Sequence, residues 1–296
     1  MNNFLIITNP TSGLKKGLLI LEQVISKLNQ NNIQYYSFIS KYKHHALDYI
    51  VNENILQYKN IIIIGGDGTY NEVINGILQR EDNYRPILGF IPAGSGNSLM
   101  HDLNCLDPHE AISNILNFNV KKLDVMQLNL KNKIEYAFNI VGWGMATDIG
   151  ILSERLRWLG PSRYTIASLL HIIKLNKRLC NIIIDNKEYN NHYIFILVCN
   201  TIYTGNAMMA APRAKIDDGL LDIIILNKDI SRLKLLKLLP LLFKGEHIKS
   251  SSVDYKTAKR IELHPSTDEI LNIDGEIKNY TPISISVLKN ELSFYG

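Results

Sequence analysis

The stretch that most restricts how this chain can fold is Ile61 to Ile77, Ile-Ile-Ile-Ile-Gly-Gly-Asp-Gly-Thr-Tyr-Asn-Glu-Val-Ile-Asn-Gly-Ile. Four β-branched apolar residues specify a buried strand, Gly65 and Gly66 allow a sharp turn, and Val73, Ile74 and Ile77 place an apolar stripe on a following helix. A Gly-rich turn at a helix N-terminus attracts phosphate through its backbone N–H groups and the helix dipole. One carboxylate, Asp67, stands in that turn. It would repel a phosphate unless a divalent cation or a proton-transfer role offsets its charge. The turn therefore points to phosphoryl chemistry, with Asp67 as base or metal partner.

The 296 residues suffice for two domains with cores, and 46% apolar with 20% charged residues is a globular composition. A net charge of +4 argues weakly for an anionic partner and against nucleic acid. No continuous apolar stretch reaches the length of a membrane span. The start Met-Asn-Asn leads directly into a strand pattern, without the run of a signal peptide, so a cytoplasmic location is expected. Cys105, Cys180 and Cys199 are far apart in apolar contexts and read as buried small hydrophobes.

Phe4 to Thr8 reads as a strand, Asn9-Pro10-Thr11-Ser12-Gly13 as a turn, and Leu18, Leu21, Val24, Ile25 and Leu28 as one helix face. Strands at Ile33 to Ile39, Ile61 and Ile87 to Ile91 follow, with a helix at Ala46 to Val51. This alternation predicts an α/β domain over 1–119, with a parallel sheet covered on both faces. Ligands of such sheets bind at the carboxyl ends of the strands, where the loops 9–13, 65–69 and 92–97 fall. From Val120 onward, strands read at 120–130, 135–141, 179–185, 193–201, 220–227, 260–263, 270–274 and 282–288 are joined mostly by turns. They predict an antiparallel β-sandwich or barrel domain over 120–296, its last strand able to return to the first domain. Helix-like segments at 152–176 and 231–244 interrupt it.

Familiar nucleotide motifs fail on spacing. The Gly-x-Gly turns at Gly66, Gly94 and Gly142 lack a third glycine, no Gly-x-x-x-x-Gly-Lys-Ser/Thr loop occurs, and His-Glu-x-x-His is absent. What remains is a pair of glycine loops after consecutive strands, Gly65 to Thr69 and Gly94 to Asn97, with Asn9 and Ser12 at the end of the first strand.

Gly65-Gly66-Asp67-Gly68-Thr69 with Asn71-Glu72-Val73-Ile74-Asn75-Gly76, followed by Pro92-Ala93-Gly94-Ser95-Gly96-Asn97, resembles the catalytic domain of the diacylglycerol kinase and sphingosine kinase superfamily. The resemblance extends through Asn9-Pro10-x-Ser12-Gly13, Gly142 to Asp148, Ser153 to Gly160, Ala211-Pro212, Asp218 to Asp222 and Asp274-Gly275-Glu276. It implies an ATP-dependent lipid kinase with its active site in the cleft between a nucleotide domain and a β-rich lipid domain. It casts Asp67 as the base for a primary hydroxyl. Asn9, Ser12, Ser40, Gly66, Gly68, Thr69, Gly94, Ser95 and Gly96 match positions around the nucleotide. Arg157 and Arg163 match basic residues that reach the phosphates, Glu154 an acid near them, and Asp274 and Glu276 the acids linked to Mg2+. Asp148 and Asn97 are its substrate-side positions.

Residues 153–164 look more like sphingosine and ceramide kinases, which favours a sphingoid base or related lipid. Gly150, however, stands where sphingosine kinases carry the acid that holds the head-group amine, so diacylglycerol or ceramide is the alternative acceptor. A soluble-acceptor kinase of the NAD kinase type shares only the central motif, and an inactive lipid-binding protein would have little need of Asp67, Asp274 and Glu276. The lipid would be drawn from a membrane surface, with peripheral association; homodimerisation stays open. The basic, apolar segment 232–244 reads either as a helix on a membrane surface or as a core-packing helix interrupted by Pro240. Glu72 and Asp274-Gly275 have plainer readings as a helix-dipole acid and a hairpin turn.

Overall fold

A computed structural model describes residues 3–160 and 162–296, apart from the side chains of Leu14, Arg157 and Asn206. It divides into two compact units. One comprises Met1–Val125 with Lys289–Gly296, the other Met126–Leu288.

The first unit opens with strand β1 (Phe4–Thr8), a short helix α1 (Ser12–Lys15) and helix α2 (Gly17–Gln30), and continues with β2 (Tyr35–Ile39), α3 (His45–Asn52), β3 (Asn60–Gly65) and α4 (Asp67–Leu78). Strand β4 (Ile87–Pro92) and helices α5 (Ser98–Asp102) and α6 (Pro108–Leu116) complete the run. The strands pair in parallel in the order β2-β1-β3-β4. Every residue of β1 and β3 is buried, as expected of parallel strands covered on both faces. Helix α2 packs with α6, and α3 with α4. The order reverses between β1 and β3, and a sheet wound this way opens a crevice at the carboxyl ends of those two strands.

The second unit takes in the rest of β5 (Val120–Asn129), then β6 (Ile134–Ala137), β7 (Ile140–Gly144), α7 (Met145–Arg155), α8 (Ser162–Lys174), β8 (Arg178–Ile184) and β9 (Lys187–Cys199). There follow β10 (Tyr203–Thr204), β11 (Met208–Met209), β12 (Leu221–Asn227), α9 (Arg232–Leu242), β13 (Val253–Ala258), β14 (Arg260–Pro265), β15 (Ile270–Ile273), β16 (Glu276–Tyr280) and β17 (Ile283–Tyr295). Pairing is antiparallel in the order β16-β15-β7-β9-β8-β14-β17, with β12 and β13 continuing from β9. One apolar cluster, around Trp143, Ile196, Ile223 and Ile285, fills the inside of the sandwich-like sheet. A second, with Ile172, Ile194, Leu235 and Leu238, lies between the sheet and helices α8 and α9. The last residues of β17 belong to the first unit, where Ser293 and Phe294 pair in parallel with Ile87 and Leu88 of β4.

Several boundaries differ from the sequence reading for physical reasons. The stretch 135–141 is two strands, because the backbone N–H groups of Phe138, Asn139 and Ile140 turn to the Asp274 carboxylate instead of a neighbouring strand. The helical segment expected over 152–176 begins at Met145, directly after β7, and is broken before Ser162. Strands β13 and β16 escaped notice because both are short, rich in polar residues and without an apolar run.

Candidate active site

The loops after β1, β2, β3 and β4 emerge at one end of the first unit's sheet and carry nine of the expected nucleotide-side residues. Asn9 leaves β1 with its amide fully engaged: Oδ1 accepts from Thr11 N–H (3.0 Å) and Thr11 Oγ1 (2.9 Å), and Nδ2 donates to Thr69 Oγ1 (3.2 Å). That last bond ties the first loop to the glycine turn. Ser12 N–H donates to the Asn9 carbonyl, closing the turn into α1, and Ser40 N–H donates to the Thr8 carbonyl, extending the pairing of β2 with β1. Glu72 is not the dipole-complementing acid of α4, since it lies in the second turn and Asp67 is the acid of the first; its carboxylate accepts from His44 N–H at 2.9 Å and pins the loop after β2.

The glycine loops approach until no side chain fits between them. A Cβ on Gly94 would lie 2.5 Å from the Gly66 Cα, and one on Gly13, whose φ is +49°, would lie 2.0 Å from the Ala93 carbonyl oxygen. These glycines are required by close backbone approach. Gly68, by contrast, faces open space, and Ser95 is exposed. Asn97 folds its loop back on itself, Oδ1 accepting from Gly94 N–H and Nδ2 donating to the Gly94 carbonyl, both at 3.0 Å. Its amide thus shapes the loop it stands in.

Asp67 is the first residue of α4, and its side chain crosses to the start of α5. Oδ2 accepts from Ser98 N–H at 2.9 Å and Oδ1 from Leu99 N–H at 3.4 Å. A Cβ on Gly96 would come within 3.1 Å of Oδ2, so the glycine leaves that oxygen approachable. Burial raises the Asp67 carboxyl above the ordinary carboxylate range, opposed by the Ser98 and Leu99 hydrogen bonds and, more weakly, by His101. Sequence reading missed Ser98 and Leu99, because a backbone donor leaves no signature in residue type.

The remaining expected residues lie in the second unit. Asp148, in the first turn of α7, has both carboxylate oxygens on Arg178 Nη2 (3.0 and 2.8 Å), while Arg178 Nε reaches Glu269 at 3.2 Å. Gly150 packs against the β16 side chain of Ile277, where a Cβ would meet Cδ1 at 2.9 Å. Glu154 lies 3.8 Å from Arg163, whose guanidinium also sits 4.8 Å from the Tyr164 ring centre. The Arg157 side chain lies outside the described residues. Asp274 is 7% exposed, and its carboxylate accepts from the N–H groups of Phe138 (3.1 Å), Asn139 (3.0 Å) and Ile140 (2.9 Å). Glu276 pairs with Lys278 at 3.3 Å, with its side chain 31% exposed. Mg2+ takes one or two carboxylates together with substrate phosphates. Glu276 fits that role; Asp274, whose oxygens are largely committed to backbone donors, fits that of an anchor.

Comparison with known proteins agrees with this architecture. Residues 3–128 match the family described as the diacylglycerol kinase catalytic domain, and residues 139–295 match the YegS C-terminal NAD kinase beta sandwich-like domain. Among curated relatives, a diacylglycerol kinase of Staphylococcus haemolyticus is 30% identical over 97% of this chain and 86% of its own length. A diacylglycerol kinase of Bacillus subtilis is 28% identical over 94% of this chain and 90% of its own. Sphingosine kinase 1 of Arabidopsis thaliana is 28% identical over 92% and 68%. Two Bacillus anthracis crystal structures share the fold, with TM-scores of 0.83 and 0.76 at 24% and 22% identity, covering 99% of this chain and 97% and 96% of theirs. With two close-packed glycine loops at the ends of a parallel sheet and both halves of one kinase architecture matched between residues 3 and 295, the chain belongs to the diacylglycerol kinase and sphingosine kinase superfamily of lipid kinases.

Proposed function

We propose that the chain transfers the γ-phosphoryl group of ATP to the primary hydroxyl of an uncharged lipid, with diacylglycerol as the preferred acceptor. The observation that carries the catalytic part is the placement of Asp67, a partly buried carboxylate aligned by two backbone donors beside two glycine loops. Phosphoryl transfer needs an oriented hydroxyl and neutralisation of the transferred charge, with little covalent work for the protein. Asp67 orients the hydroxyl and accepts its proton. The raised affinity of its carboxyl for a proton makes it a better acceptor than an exposed aspartate. Backbone around Gly66, Gly68, Thr69, Gly94 and Gly96 holds the phosphates, and Arg157 and Arg163 supply positive charge. Mg2+, with Glu276 as its protein carboxylate, would neutralise further phosphate charge.

Diacylglycerol is placed ahead of a sphingoid base because the two positions able to meet an ammonium head group are otherwise employed. Asp148 is paired with Arg178, and Gly150 is packed against Ile277. The names of the relatives do not choose between the lipids. Assays of kcat/KM on diacylglycerol and sphingosine in mixed micelles test this reading, with the wild type expected to prefer diacylglycerol. In Arg178→Gln, Asp148 loses its guanidinium partner and keeps only His171 at 3.8 Å, and the sphingosine-to-diacylglycerol ratio is expected to rise about tenfold, the worth of one charge-assisted hydrogen bond. A wild type that prefers sphingosine would refute the assignment of the acceptor.

A further inference from the structure

The core face of the second unit's sheet carries polar residues where its pleat calls for apolar ones. Directly paired residues of neighbouring strands share a face. On β13, Asp254 and Lys256 pair with Ile225 and Ile223 of β12, both in the inner apolar cluster. On β9, Tyr189 pairs with Ile182 of the same cluster, and Asn191 pairs with buried Cys180. A polar set on a core face needs partners of its own or a ligand. A cavity of about 210 Å³ opens here, lined by these polar side chains together with Ile182, Ile225, Tyr193 and Asn227. None of its residues has a part in the phosphoryl transfer proposed above.

The chemistry of the lining selects the ligand. Asp254 and Lys256 bring one charge of each sign, so the cavity has neither the cluster of cations that holds a phosphate nor the several carboxylates that hold a divalent cation. The two charges face different partners: Asn227 Nδ2 donates to Asp254 Oδ2 at 2.9 Å, and Lys256 Nζ lies 5.4 Å from the centre of the Tyr189 ring. A carboxylate accepts about four hydrogen bonds, an ammonium only donates, and a carboxamide does both. Together they match a molecule with several hydroxyls, each able to donate and accept. The tyrosine rings add flat apolar surface for the C–H face of a ring. The space holds one six-membered ring and is too small and too polar for an acyl chain. We infer that this cavity binds a neutral polyhydroxylated ring, a hexose or cyclitol, with its hydroxyls on Asp254, Asn227 and Asn191 and one face against Tyr189.

Saturation-transfer NMR of the full chain with D-glucose and with myo-inositol tests this without ATP or lipid, so its failure and that of the kinase reading are separable. At least one of the two is expected to saturate a single site with a Kd of about 1 mM, ordinary for a ligand of about a dozen heavy atoms. Octyl glucoside below its micelle concentration distinguishes the source: binding tighter than that of D-glucose marks a glycolipid head group, and equal or weaker binding marks a free polyol. Tyr189→Ala is expected to weaken binding about tenfold and Tyr189→Phe to retain it, because the ring face is what the ligand meets. Asp254→Asn is expected to weaken it about fivefold. Tyr189 is 37% exposed, and an asparagine at 254 still accepts from Asn227, so melting temperature and lipid turnover should stay at wild-type values. No saturable binding of either polyol would overturn the inference, as would equal binding by wild type and Tyr189→Ala. Saturation by glycine with none by the polyols would make the two charges the recognition element and overturn it too.

Discussion

Replacing Asp274 by asparagine separates two roles that its position admits. If the residue were chiefly a magnesium ligand, the neutral amide would weaken metal-dependent turnover and leave the fold intact. The structure predicts otherwise. In its best orientation the asparagine Oδ1 still accepts from Asn139 and Ile140 N–H, but without charge, and its NH2 group then opposes the N–H of Phe138. A buried donor left without a partner costs about 1–3 kcal/mol, and the two weakened bonds add roughly 1 kcal/mol more. The total, about 2–4 kcal/mol, is a large part of an ordinary stability of about 5–15 kcal/mol. Urea unfolding followed by tryptophan fluorescence reads this as a lower midpoint at constant slope, and the buried Trp143 lies in the same unit. Glu276→Gln is the control, because a half-exposed pair with Lys278 is worth about 0–1 kcal/mol. That variant should keep the wild-type midpoint and need more Mg2+ for half-maximal rate. An Asp274→Asn protein with the wild-type midpoint and only a raised Mg2+ requirement would refute the anchor role.

Gly94→Ala drives a methyl into the Gly66 backbone and should both destabilise the chain by about 1–3 kcal/mol and raise the KM for ATP, whereas Gly68→Ala, which points into open space, should keep its melting temperature and lose only ATP affinity. A Gly94→Ala enzyme with unchanged ATP affinity would contradict the cradle. Asp222, 2% exposed and bound to the Tyr255 hydroxyl at 2.6 Å, has its carboxyl pushed from 3.8 up to about 6 by burial. A folded-state value raised above the unfolded one favours the fold below the unfolded value, and that contribution is lost as pH rises through about 6. Asp222→Asn should therefore match the wild type near pH ~4 and exceed it above pH ~7 by up to ~3 kcal/mol. Parallel stability curves would show that burial does not set this group's titration.

The first unit was legible because its signals are local. Continuous apolar runs such as Ile61 to Ile64 mark parallel strands buried on both faces, and Gly-Gly-Asp-Gly-Thr and Gly-Ser-Gly-Asn mark where two of them end. The convergence of those loops was implied only by their sharing one sheet. The contact between Gly66 and Gly94, and the donors that align Asp67, arise from pairings about thirty residues apart in sequence. The second unit was less legible. Strand β13, Val-Asp-Tyr-Lys-Thr-Ala, has no apolar run, and the first half of β9, Lys-Glu-Tyr-Asn-Asn-His, is polar at every position but Tyr189. Asp274-Gly275 is indeed a hairpin turn joining β15 to β16, yet the same aspartate reaches across to end one strand and begin another. Arg178 falls just outside the strand read at 179–185, and only the fold reveals that it occupies Asp148.

The central claim, transfer of phosphate from ATP to a lipid hydroxyl with Asp67 as proton acceptor, is tested most directly with labelled ATP and Mg2+ on diacylglycerol, ceramide, sphingosine and NAD, wild type beside Asp67→Asn. The predicted result is a labelled lipid, diacylglycerol foremost, with the variant slower by about 10²–10⁴-fold and of unchanged ATP affinity. Labelled NAD with no labelled lipid, or equal lipid turnover by Asp67→Asn, would contradict it.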